Sequence, residues 1–430
     1  MHDALFASSA MREVFSDSAR VQGLLDFEAA LARAEARVGF IPAADAEAIS
    51  KACDASLYDL QSLSAAAAGA GNLAIPLIKE LRARTNDSVH RGATSQDAID
   101  TGLMLQLRKA LPLLEADAKR LADSLAALAA SQRNTAMAGR TWMQQALPVT
   151  LGLKAAGWLD GLTRHRARLR GLRGNLVLQL GGAVGTLAAF EGQGLRVAAE
   201  LASELGLALP GLPWHTQRDR LAEFATTFGM LVGSLGKIAR DLSLLSQTEI
   251  GELNEPAEAG RGGSSTMPQK RNPVACAVAL SAAVRVPPLV STMLSAMVQE
   301  QERGLGGWHA EWETLPQIAL LTSGALEQLA HAFAAPDIST RHIAANLALT
   351  HGLILAEAAV TKLTGSVGRK LAQSIVEAAS QKALDEGRPL RELLTDHLSA
   401  ADLDSLFEPA RYLGEAGAFI DGALAAHQAE

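Results

Sequence analysis

Seven apolar residues, Phe224, Phe228, Leu231, Leu235, Ile238, Leu242 and Leu245, step along this chain by four, three, four, three, four and three. A strand cannot use that spacing, because its side chains change face at every residue. A helix of about six turns can, with all seven on one stripe. Met230, Val232 and Leu244 flank the stripe, so it is wider than the seam of a two-stranded coiled coil. A helix that is apolar on more than one side needs several neighbours. The reading predicts a long-helix bundle completed by other subunits. Leu103, Leu107, Leu114, Leu121, Leu125 and Leu128 repeat the three/four spacing earlier in the chain.

Composition agrees. Hydrophobic residues make up 48% of the 430 positions but aromatics only 4%, which favours closely packed helices over strands. Near the N-terminus, Leu24, Phe27, Leu31, Ala34 and Val38 predict a helix over about 16–39, ended by Gly39 and Pro42. Pro287 and Pro288 are expected to interrupt and kink a later long helix. After about residue 345 the apolar spacing shortens into modest helices, and no segment carries a strong strand signal. The expected fold class is all-α, in three domains. These are an N-terminal helical domain at 1–100, a central long-helix bundle at 101–345, and a small helical domain at 346–430.

A net charge of −7 gives no basic footprint for nucleic acid. Cys53 and Cys276 are not paired by spacing, and the first residues lack the layout of a secretory signal. No apolar run reads as long enough to span a bilayer. A cytoplasmic protein, with neither nucleic-acid nor membrane partners, is the expectation. The ten histidines are dispersed without metal-ligand spacing, so no metal and no cofactor is expected.

Three segments gather polar groups that a bundle does not require. In Ser88-Val89-His90-Arg91-Gly92-Ala93-Thr94-Ser95-Gln96-Asp97, Thr94 and Ser95 precede a predicted helix start. They serve either as plain N-caps or as donors for a carboxylate at a helix N-terminus. In Arg140-Thr141-Trp142-Met143-Gln144-Gln145, Thr141 and two glutamines stand beside an indole, which is either a polar wall of a site or a packing aromatic. The third is the loop over 260–273, with Gly262-Gly263-Ser264-Ser265-Thr266-Met267-Pro268-Gln269-Lys270-Arg271-Asn272-Pro273 at its centre. Its glycines permit closure over a ligand, Ser264 offers a proton-transfer hydroxyl, and Lys270 and Asn272 offer a cation and an amide. The alternative is a flexible surface loop. A phosphate-binding P-loop does not fit, because Gly-Lys-Ser/Thr is absent. Lys270 also lies six residues after Ser264 and five after Ser265, too far for a Ser-x-x-Lys pair. His309, between Trp308 and Trp312, reads as a satisfied structural histidine.

These three segments resemble, in order and across nearly the whole chain, the signature regions of the fumarase/aspartase superfamily. Within it, Arg140-Thr141-Trp142-Met143-Gln144, Pro213-Trp214-His215-Thr216-Gln217-Arg218-Asp219-Arg220 and Trp308-His309-Ala310-Glu311-Trp312-Glu313 look most like the cycloisomerase branch, which closes lactones on carboxylated muconates. The resemblance implies a homotetramer whose active sites are shared between subunits, and a small tricarboxylate substrate. It also implies roles. Ser264 transfers a proton, and Lys270 stabilises the developing anion with Asn272. Trp142 stands where amine-eliminating relatives carry a histidine. Thr94, Ser95 and Arg303 hold carboxylates, and His90, Thr141, Gln145 and Gln217 assist in orienting them. Gln145 occupies a place where some related cycloisomerases have histidine. An indole N–H only donates, so it cannot shuttle protons to an amine; a carboxylate needs no such help. The rival readings are an adenylosuccinate lyase-like C–N lyase and an inactive, crystallin-like scaffold or binding protein.

Overall fold

The computed structural model describes residues 3–430. The chain is built from helices, the long ones being Asp17–Arg37, Ser95–Ser131, Leu151–Gly171, Asp219–Leu245, Val274–Ser295 and Gly307–Ala334. The predicted stripe of the Asp219–Leu245 helix is buried from Phe224 to Leu245, as is Val232, while Met230 stays half-exposed. Leu107, Leu114, Leu121, Leu125 and Leu128 are likewise buried. The first predicted helix forms over Asp17–Arg37, with Ser16 capping it by accepting the Ala19 N–H, and Gly39 follows with a φ of 80°.

Two expectations need correction. Among the described residues there are two small antiparallel sheets where no strands were predicted. The larger pairs β1 (Ala136–Thr141) with β2 (Gln144–Thr150); the other joins Leu253–Asn254 to Asp337–Ile338. The hairpin escapes pattern reading because β1, Ala-Met-Ala-Gly-Arg-Thr, is mostly small or polar. Second, Pro287 and Pro288 do not interrupt their helix, which is assigned continuously from Val274 to Ser295. By length and composition alone this helix could cross a membrane, with a mean hydropathy of 1.7 over its most apolar 18 residues, of which 33% are buried within the chain, but Arg285, Pro287 and Pro288 interrupt its apolar run.

The chain divides into two compact units. The first comprises residues up to Asp117, His165–Gly233 and Ser281–Glu327. Inside it the Asp17–Arg37 and Ser95–Ser131 helices cross backbone to backbone: a Cβ on Gly23 would lie 3.2 Å from the Gly102 carbonyl oxygen, and a Cβ on Gly102 would lie 3.2 Å from the Gly23 carbonyl carbon. The second unit comprises Ala118–Arg164, Ser234–Leu280 and Gln328–Glu430. Its C-terminal helices are short and close around a core of Leu363, Val376, Leu390, Leu394 and Leu403.

Candidate active-site segments

In the first unit, the Thr94–Asp97 turn is held by Asp97, which is fully buried. Its carboxylate accepts the backbone N–H groups of Thr94, Gly181 and Gly182, each at 3.0 Å, and lies 2.7 Å from His215 Nε2. The Asp97 N–H donates back to the Thr94 carbonyl at 2.9 Å, closing the first turn of the Ser95–Ser131 helix. Thr94 does not spend its hydroxyl on capping: Oγ1 accepts from Arg303 Nη1 at 2.9 Å. Arg303 Nη2 donates to the Ala183 carbonyl at 2.8 Å. Thr94 and Arg303, both carboxylate-binding candidates, are thus brought together, with Ser95 half-buried beside them and Gln217 exposed.

His90 approaches from the same loop. Its Nδ1 lies 2.6 Å from Glu28 Oε1, and the side chains are 12% and 1% exposed. Burial alone would lower the His90 pKa, but the charge and hydrogen bond of Glu28, aided by Asp97, raise it above the ordinary value.

Below the turn, the Arg218 guanidinium is buried between two carboxylates. It donates to Asp100 at 2.7 and 3.0 Å and to Glu311 at 2.5, 3.0 and 3.2 Å. Trp308 Nε1 and Gln179 Nε2 also donate to Asp100, and Gln299 Nε2 donates to Glu311. Burial lifts Glu311 to about 7 against the pull of Arg218. His309 is exposed and packs against Trp312, with ring centroids 4.6 Å apart.

In the second unit, Thr141 pairs with Gln144 across the hairpin, so Trp142 and Met143 form a two-residue turn. Both have positive φ, 51° and 65°, the signs of a type I′ turn that asparagine and glycine normally fill. Neither side chain packs locally: Trp142 is 98% exposed and Met143 74%. Thr141 is exposed too. The hairpin base is tied down by polar contacts. Arg140 donates to buried Glu252 through Nη1 at 2.9 Å and Nη2 at 2.7 Å. Asn346 Nδ2 donates to the same carboxylate at 2.9 Å. Gln145 Nε2 donates to the Asn346 carbonyl at 2.9 Å, and Gln145 Oε1 is buried without a partner. Gln145 thus links the hairpin to the Asn346 backbone through its amide donor.

The loop is also in this unit. Gly262 has a φ of 65°, and its carbonyl accepts the Asn272 N–H at 2.7 Å, tying the two ends together. A Cβ at Gly262 would meet the Asn272 carbonyl oxygen at 2.5 Å. Ser264 Oγ accepts two backbone N–H groups, Met267 at 3.1 Å and Thr266 at 3.3 Å. Two such donors favour the oxyanion a serine becomes after giving up its proton. Ser265 and Lys270 are exposed. Asn272 Nδ2 reaches the Gly263 carbonyl at 3.4 Å. Among the described residues, no cluster of three or more His, Cys, Asp or Glu side chains converges to hold a metal ion.

The sequence reading had no role for Asp97, Glu28, Glu252 or His215. Spacing could not reveal their pairings, which join residues 62 to 118 positions apart. One signal was present: Glu28 and Glu35 interrupt the buried face of the Asp17–Arg37 helix, and a carboxylate on such a face needs a partner or a proton.

Residues 5–287 match the family described as lyase, and residues 352–423 match the adenylosuccinate lyase C-terminus. A 3-carboxy-cis,cis-muconate cycloisomerase of Pseudomonas aeruginosa is 56% identical, with the match covering 100% of this chain and 96% of that protein. One from Bradyrhizobium diazoefficiens is 51% identical over 98% of this chain and 96% of its own. The crystal structure of the 3-carboxy-cis,cis-muconate lactonizing enzyme from Pseudomonas putida superposes with a TM-score of 0.96 at 52% identity, covering 100% of this chain and 99% of that one. With the all-α architecture and the signature loop in place, the chain belongs to the lyase family of the fumarase/aspartase superfamily.

Proposed function

We propose that the protein is a cycloisomerase that closes 3-carboxy-cis,cis-muconate to 4-carboxymuconolactone, in the protocatechuate branch of aromatic degradation. The end-to-end match at 56% identity to an enzyme acting on that substrate carries this reading. The exposed indole of Trp142 adds chemical support. An amine or hydroxide leaves poorly unless protonated, and an indole cannot supply that proton at neutral pH. A carboxylate attacks or departs as the anion.

In the proposed reaction one carboxylate oxygen bonds to an alkene carbon of the same substrate. The displaced electron pair moves toward a second carboxylate and gives an enolate-like dianion. Ser264 delivers its proton to carbon and is recharged from solvent. Lys270, Asn272 and the loop N–H groups meet the dianion, a species worth stabilising more than the ground state. Thr94, Ser95 and Arg303 hold the remaining carboxylates, with His90, Thr141 and Gln217 around them. Gln145, on the hairpin that carries Trp142, is a further candidate for orienting a substrate carboxylate.

The working unit in this reading is a homotetramer in the cytoplasm, with the central helices of residues 101–345 packed against those of other subunits. The exposed apolar face of Val274–Ser295 is then covered by protein: the helix carries Arg285 and tandem prolines, which suit a bundle better than lipid.

Incubation of the purified protein with 3-carboxy-cis,cis-muconate should bleach the diene absorbance as lactone forms. An unchanged spectrum at high enzyme concentration rejects the proposal. Release of fumarate from adenylosuccinate would favour the C–N lyase reading instead.

A further inference from the structure

We propose that Glu28 is a positioning residue: by engaging His90 Nδ1 it holds the imidazole as a cation whose Nε2–H remains to donate to a substrate carboxylate. The identity of that carboxylate rests on the cycloisomerase reading; the Glu28–His90 coupling does not.

The geometry is specific. Glu28 lies on the buried face of its helix, 1% exposed, with Oε1 on His90 and Oε2 without a partner. A buried carboxylate with one partner is tolerable only if that partner is a cation or the acid keeps its proton. His90 adopts a φ of 61°, a backbone state that most side chains avoid. Its loop is pinned on both sides. Gly92, with a φ of 75°, leaves no room for a Cβ, which would meet the Phe190 ring at 2.8 Å. Arg91 lies over the Phe40 ring at 4.1 Å and donates to the Phe40 carbonyl at 3.1 Å. The strained, clamped backbone delivers the ring to Glu28 and ties up one nitrogen, leaving the other as the sole remaining ring donor.

The charged groups facing His90 are few. Glu28, from the Asp17–Arg37 helix, and Asp97, from the Ser95–Ser131 helix, favour the cation. Arg82, from the Ala74–Arg84 helix, opposes it while donating to the Val89 carbonyl at 3.1 Å. Near Glu28, burial holds both the Cys53 thiol and the Glu35 carboxyl in their neutral forms at neutral pH. Glu28 therefore supplies the charge that outweighs burial.

The test is Glu28→Gln, with kcat and KM measured from pH 6 to pH 8.5. In the native enzyme KM should stay low until pH passes the raised value of His90. In the variant burial dominates, His90 is neutral, and the variant-to-native KM ratio should climb by up to about tenfold per pH unit until the native ring also titrates. The kcat should change less than about threefold. Histidine titrations followed by NMR on the ligand-free protein should show one of the ten rings shifted to lower pH. His90→Gln should abolish the KM limb, and adding Glu28→Gln to it should have no further effect on the pH profile. Superimposable profiles for native protein and Glu28→Gln, or an unshifted set of histidine titrations, would overturn the inference. If Glu28→Gln does not fold, a His90→Gln profile retaining the native limb would overturn it equally. Failure of the native protein to convert muconate removes the proposed function and leaves the NMR result to decide the coupling.

Discussion

Replacing Glu35 with glutamine is expected to stabilise the protein, increasingly so toward alkaline pH. Glu35 sits seven residues beyond Glu28 on the same helix face, is 1% exposed, and has neither carboxyl oxygen hydrogen-bonded. Burial first, and then the Glu28 charge, push its pKa from 4.5 up to about 9, with Arg91 opposing. Below 4.5 both folded and unfolded chains hold the proton, and the group has no effect. Between 4.5 and 9 the folded chain keeps a proton that the unfolded chain has released, so stability falls as pH rises through this window. Each pH unit costs ~1.4 kcal/mol, which makes the penalty ~3 kcal/mol at pH 7. Glutamine removes the ionisation while keeping the shape. Its unpaired amide costs about 1–3 kcal/mol, much of which the buried acid already bears, so the net gain is about 2 kcal/mol at pH 7. Thermal and urea unfolding of both proteins from pH 5 to pH 9 provide the assay. The gap should be smallest at pH 5 and widen steadily. Parallel stability curves across that range would refute the reasoning.

Substitution Ser264→Ala should lower kcat by at least two powers of ten in the diene assay, in line with removal of a group acting at the transition state, while the sedimentation profile stays native. Trp142→Asn with Met143→Gly should relieve two positive-φ side chains and stabilise the fold by about 1–2 kcal/mol, as read by thermal melts, while kcat/KM falls; an unstable variant would contradict the turn assignment. Arg218→Met strands Asp100 and Glu311 in the interior and should destabilise by about 3–5 kcal/mol in urea titrations. Restoring charge balance with Asp100→Asn in the same chain should recover part of that loss.

Much of the helical framework was legible because burial and period coincide. The stripe from Phe224 to Leu245 is buried as its spacing predicts. The loop was legible by its glycines and by its resemblance to a known family; that Ser264 Oγ accepts the Thr266 and Met267 N–H groups was not. The hairpin was not legible: Trp142 and Met143 carry none of the usual turn chemistry, so the positive-φ turn gave no turn signal. Nor were the buried ion pairs, whose partners are set by tertiary packing across 62, 93, 112 and 118 positions. Gln145 illustrates the same limit. Its amide N–H donates to the carbonyl of Asn346, 201 positions along the chain, which no local spacing reveals.

The crossing at Gly23 and Gly102 has a mechanical consequence. Where side chains meet at a helix crossing, a small displacement is absorbed by rotamers; here main chain meets main chain, and nothing soft intervenes. One methyl group at either position would wedge the helices apart by a few tenths of an ångström. Glu28 stands five residues from Gly23, and Asp97 five from Gly102. The reach of each carboxylate to its histidine, 2.6 and 2.7 Å, is thus gauged by two side chains that are not there.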